Sequence, residues 1–167
     1  PVHDRSATLV VPAKSVTTFV VDGVAGVAKD AALVQPGHPY RLRGVQSGRS
    51  LAPSDDGRGV VIRTDDPTDT AQLWWIRKLT NGYTNRERYA LVNVAQGTRL
   101  AVRNGAAVLE KAVGTPDPAG QWILSTTGDG TWTFVNVASG LLLDVSGEAT
   151  ADGSPVSVWT PTSGANQ

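Results

Sequence analysis

From residue 38 to residue 167, apolar and polar positions alternate in short runs rich in Val, Thr and Leu, each broken by Gly, Pro, Asn or Asp. A period of two sends successive side chains to opposite faces of a strand, whereas a surface helix repeats its apolar positions every three to four residues. Helical periodicity is hard to find, so the pattern predicts an all-β chain. In Leu143-Asp144-Val145 the alternation turns Leu143 and Val145 to the core and Asp144 to the opposite face. It predicts Asp144 presented at a strand end beside a glycine-rich turn, not buried.

The strands recur in units. Tyr40 to Gly48, Tyr89 to Gly97 and Trp132 to Gly140 align, each with an aromatic eight residues before a glycine, a Val three before it and a leucine three after it (Leu51, Leu100, Leu143). The glycines lie 49 and 43 residues apart, room for about four strands with their turns. Three such units predict a threefold all-β assembly with repeats at about 38–80, 81–127 and 128–167. Each closes on a late motif: Gln72-Leu73-Trp74, then Gly120-Gln121-Trp122, then Asn166-Gln167 at the end of the given sequence.

Composition narrows the function classes. Fifteen Lys and Arg balance fifteen Asp and Glu, so there is no basic field to collect phosphates, and a nucleic-acid partner is not expected. No run approaches the roughly 20 apolar residues that cross a bilayer, and no membrane partner is expected. Without cysteine there is neither a disulfide framework nor a thiolate metal site. His3 and His38 have no metal-ligand spacing, and the acidic stretches 54–59 and 64–69 lack the ligand order of a calcium loop, so solvated turns are expected and no metal or cofactor. Glu87, Glu110 and Glu148 are not paired by the sequence across one cleft, and the repeats place them in turns or on surfaces, so no catalytic residue is assigned.

A Gln-x-Trp motif closing each of three repeats of this length resembles the ricin-type β-trefoil, the fold of family 13 carbohydrate-binding modules, over residues 38–167. The chain departs from that pattern in three places. Gly120 stands for the second glutamine, the third tryptophan would lie after Gln167, and Leu142 and Pro161 stand where many members carry cysteine. A chain lacking that last strand is expected to melt lower than a complete trefoil. The "VPAKSVTTFVVDGV" run at residues 11–24 resembles the closing strands of the β-sandwich in family 30 glycoside hydrolases, which implies a sandwich remnant over 1–22, with strands expected at Ala7 to Val11 and Val16 to Val21 and a linker over 23–37.

The resemblance implies a sugar site in the third repeat. The family's binding order is an Asp after the Leu, a polar residue two before an aromatic, and an Asn before the motif glutamine; here these are Asp144, Ser157, Trp159 and Asn166, with Gln167 in the glutamine position. An ionised carboxylate accepts from sugar hydroxyls, and an indole face covers the sugar's C–H face. Ser157 is shorter than the amide usual there, which predicts a weaker or water-mediated hydrogen bond. The first repeat offers Ala52, Arg63 and Ala71 instead, and the second Ala101, Glu110 or Leu109, and Ala119, so one site per chain is expected. Trp74 and Trp122 are assigned to the core, and Trp75 and Trp132 to structural roles, with ligand binding on an exposed flank as the alternative for the latter two.

By resemblance, the chain is a non-catalytic module of a secreted polysaccharide hydrolase, with an upstream catalytic domain as its partner. Its ligand is expected to be galactose or a related sugar in a plant polysaccharide, with β-1,6-galactan the implied substrate of the parent; xylan, arabinan and glucan stay open. The alternative is a structural or protein-interaction trefoil whose sugar site has decayed.

Overall fold

The structure, a computed structural model, describes residues 34–35, 37–79, 87–126 and 130–167. The expected N-terminal strand pair and most of the linker fall outside the described residues. Those described carry eleven strands in one antiparallel sheet. The first repeat supplies β1 (Pro39–Tyr40), β2 (Ser50–Pro53), β3 (Val60–Arg63) and β4 (Trp74–Leu79). The second supplies β5 (Arg88–Asn93), β6 (Thr98–Arg103), β7 (Ala106–Lys111) and β8 (Trp122–Ser125), and the third β9 (Thr133–Asn136), β10 (Leu142–Val145) and β11 (Pro155–Trp159). Among them no helix is long and apolar enough to cross a membrane.

Each repeat contains one hairpin of the same register: β2 on β3, β6 on β7, β10 on β11. Leu51 faces Ile62, Leu100 faces Leu109 and Leu143 faces Val158, and these pairs turn toward one apolar core. Trp74 and Trp122 sit at its centre with no exposed surface. Their indole Nε1 groups donate to the carbonyls of Leu51 (2.9 Å) and Leu100 (3.0 Å). A buried Trp needs such an acceptor because an unpaired N–H in an apolar interior costs about 1–3 kcal/mol. The two motif tryptophans therefore serve packing, as expected.

The repeated Asn-Val pair joins one repeat to the next. Asn93 donates from Nδ2 to the Ala71 carbonyl (2.7 Å) and Asn136 to the Ala119 carbonyl (2.8 Å). The following Val94 and Val137 amides donate to Leu73 and Gln121, both at 2.9 Å. Each repeat glycine has positive φ, +64° at Gly48, +65° at Gly97 and +70° at Gly140, a region that a side chain with Cβ rarely enters. The spacing that marks the repeats in sequence is thus the spacing of a turn that requires glycine.

Candidate functional site

The hairpin register fixes which residues share a face. In β10–β11, Leu142 stands opposite Trp159 and Asp144 opposite Ser157. Opposed residues of an antiparallel pair point the same way, so Leu142, Asp144, Ser157 and Trp159 occupy the face turned from the core. Val156 and Val158 on the other face are buried in the core. The face expected for Asp144 is the one it occupies, but its exposure is not: only 6% of Asp144 is accessible. The residues that cover it come from twenty-odd positions downstream. Asn166 Nδ2 and Gln167 Nε2 both donate to Asp144 Oδ2, at 3.0 and 2.9 Å.

Two amides on one oxygen fix the carboxylate's orientation. Asp144 Oδ1 accepts nothing among the described residues and remains the outer acceptor of the group. Asn166 cannot be turned over, because its Nδ2 also donates to the Val145 carbonyl (3.2 Å). Its Oδ1 consequently faces inward, buried and without a partner. A Cβ at Gly164 would stand 2.4 Å from that oxygen, so glycine leaves room for the amide. Gln167 completes the arrangement, donating to the Thr160 carbonyl (2.9 Å) and accepting from the Thr162 amide (2.9 Å). Gln72 does the same in the first repeat, donating to the Thr64 carbonyl (2.9 Å) and accepting from the Asp66 amide (3.0 Å). Trp159, by contrast, is 61% exposed and offers its indole to solvent.

The other repeats fill the same register differently. In the second, Ala101 stands where Asp144 stands, and Arg99 faces Glu110 where Leu142 faces Trp159. The open choice between Glu110 and Leu109 is settled for Glu110. This residue lies in strand β7 and not in a turn, and its half-buried side chain sits inside an ion-pair network. Glu110 accepts from Arg99 Nη2 (2.7 Å) and Arg103 Nη2 (2.9 Å), and Arg103 Nη1 donates to Asp117 (3.0 Å). Burial pushes the Glu110 carboxyl up, but the hydrogen bonds and charges of Arg99 and Arg103 outweigh it and hold the group below its ordinary value. The hydrogen bond from Arg103 likewise lowers Asp117.

Gly120 belongs to this network. A Cβ there would meet Pro116 Cβ at 2.9 Å and Arg99 Nε at 3.0 Å. The buried Arg99 side chain therefore occupies the space into which a motif glutamine would project. In the first repeat Ala52 faces Val61 and Ser50 faces Arg63, so Arg63 takes the place of Trp159. Arg63 is held by Asp55 and Asp152. A cleft of about 470 Å³ opens there, lined by Ala52, Arg63, Ala71 and Gln72 among others. It has volume without the acceptor at position 52 or an aromatic face at position 63.

Among the described residues, no group of three His, Cys, Asp or Glu side chains could hold a metal ion. Glu87 accepts from Lys78 and Tyr89, which accounts for it without a reacting partner.

Comparison with known proteins places this geometry. Residues 82–159 match the family described as ricin-type β-trefoil lectin domain-like. An exo-β-1,6-galactobiohydrolase of Bifidobacterium longum subsp. longum is 34% identical over 172 residues, covering 96% of this chain and 11% of that protein. The chain therefore spans about a ninth of that relative's length. The designed threefold-symmetric protein ThreeFoil is 28% identical, with TM-score 0.66 over 77% of this chain and 94% of its own. An exo-β-1,3-galactanase from Clostridium thermocellum is 25% identical, with TM-score 0.66 over 78% of this chain and 29% of its own.

Proposed function

We propose that the third repeat binds one galactose-type sugar and anchors a parent hydrolase to galactan, a reading supported by the match of residues 82–159 to the ricin-type β-trefoil lectin family and by the similarity to two galactan-acting enzymes. One observation carries the reading. Among the three hairpins, β10–β11 alone sets a carboxylate, pre-oriented by two amides, on the same face as an exposed indole.

The parts act as follows. Asp144 Oδ1 accepts a sugar hydroxyl, and such a charge-assisted hydrogen bond is about twice as strong as a neutral one. Asn166 and Gln167 hold the carboxylate in place, which lowers the ordering cost at the moment of binding. Trp159 covers the apolar face of the ring. A shallow one-sugar site has Kd near the millimolar range, about −4 kcal/mol. Tethered to a catalytic domain, weak binding still raises the local concentration of polymer at the active cleft. The similarity to a β-1,6-galactobiohydrolase favours β-1,6-galactan as the target and a secreted parent enzyme.

A nitrogen-15 NMR titration with galactose, β-1,6-galactobiose and xylobiose, repeated on Asp144→Ala, tests this. Expected are saturating shifts confined to the third repeat, strongest for the galactose ligands and lost in the variant. Absence of shifts with every sugar would refute the reading and favour a trefoil that docks on protein.

A further inference from the structure

The three hairpin turns overhang one another in a cycle. The β10–β11 loop reaches the first repeat, where Asp152 accepts from the Thr64 amide and from Arg63. The β2–β3 loop reaches the second, where the Leu109 amide donates to the Arg58 carbonyl at 2.7 Å. The β6–β7 turn reaches the third, where Ser157 Oγ stands 3.5 Å from the Gly105 carbonyl, the long limit of a hydrogen bond. The first two loops span residues 146–154 and 54–59, whereas the turn over the third repeat is the pair 104–105.

That pair is Asn104-Gly105, both with positive φ (52° and 78°), the two-residue hairpin turn whose twist matches its strands. Asn104 is exposed, and its carboxamide is bonded to nothing among the described residues. Its turn touches Ser157, the position directly opposite Asp144, where a short hydroxyl leaves the site without a long donor. Asp144 supplies an acceptor and Trp159 a face, and the short Ser157 hydroxyl points to the Gly105 carbonyl; a long-reaching donor is what the set lacks.

We infer that Asn104, from the neighbouring repeat's turn, is a specificity-determining residue of the third-repeat site, its Nδ2 donating to a second sugar unit next to the one held by Asp144 and Trp159. This rests on the sugar-binding reading of that site. The compact turn ends beside Ser157, on the face that carries Asp144 and Trp159.

Two turn-preserving variants test it. Asn104→Gly tolerates the positive φ, and Asn104→Asp keeps the shape while losing the donor. Calorimetric titration of each with β-1,6-galactobiose and galactose should show galactobiose weakened about three- to tenfold, the worth of one hydrogen bond, with galactose within about twofold of wild type. Wild-type galactobiose affinity in either variant would overturn the inference alone, and equal weakening for both sugars would do so too. A wild-type protein that binds neither sugar would overturn the underlying reading together with it.

Discussion

The second and third repeats use one hairpin in one register for opposite ends. Where Leu142 faces Trp159 the outer face carries an exposed indole beside a covered carboxylate, and where Arg99 faces Glu110 it is closed by its own charges. The exchange involves more than two side chains. Arg99 extends into the space of the motif glutamine, so Gly120 must stand there, and Arg103 and Asp117 complete the neutralisation. In the third repeat Gln167 fills that space and supports Asp144. One frame thus holds either a pre-oriented acceptor or a self-satisfied ion network, and the residue beneath the outer aromatic position decides which.

The largest effect should come from breaking the closed side. Glu110→Ala leaves the buried Arg99 without its anion and should lower unfolding free energy by about 3 kcal/mol, read by chemical denaturation, with sugar-induced NMR shifts in the third repeat unchanged. Equal loss from Glu110→Gln and Glu110→Ala would argue against charge as the cause. Next, Gly120→Ala pushes a methyl against Pro116 and Arg99 and should cost about 1–3 kcal/mol; an Arg99→Leu background should remove most of that cost. On the open side, Trp159→Ala should weaken sugar binding about tenfold while leaving stability within about 0.5 kcal/mol, because the indole is exposed.

The smallest effect concerns acid. Glu110 and Asp117 have folded pKa values held below their ordinary ones, so their contribution to stability is complete above the unfolded carboxylate range near pH 4 and is lost as pH falls through the lower folded values. Melting curves between pH 6 and pH 2 should fall more steeply for wild type than for a Glu110→Gln, Asp117→Asn variant. Parallel curves would place the acid sensitivity elsewhere.

Much of this frame is legible in the sequence, because the repeat spacing records turns that need glycine and because strand alternation assigns faces. Repeat spacing puts Arg63 in the first repeat at the place Trp159 holds in the third, and the hairpin registers agree. The burial of Asp144 was not legible, since its cover comes from amides 22 and 23 residues away that approach it through folding. Gly120 read as a lost glutamine, because its compensating cation lies 21 residues earlier on another strand. The variation of Ser50, Arg99 and Leu142 in step with Arg63, Glu110 and Trp159 is the signal that could have exposed it. The cyclic overhang of the turns links consecutive repeats through space and leaves no mark on spacing within any one of them.

The unequal exposure of the tryptophans has a photophysical consequence. Trp74 and Trp122 are sealed from solvent, whereas the indole of Trp159 lies open beside Asp144's hairpin face. A dissolved quencher such as iodide collides with the exposed indole and not with the sealed pair. Emission from Trp159 is therefore the larger part of a quenchable fraction to which Trp132, 37% exposed, also contributes, and on the proposed reading a sugar ring laid over Trp159 would shield its share while leaving that of Trp132.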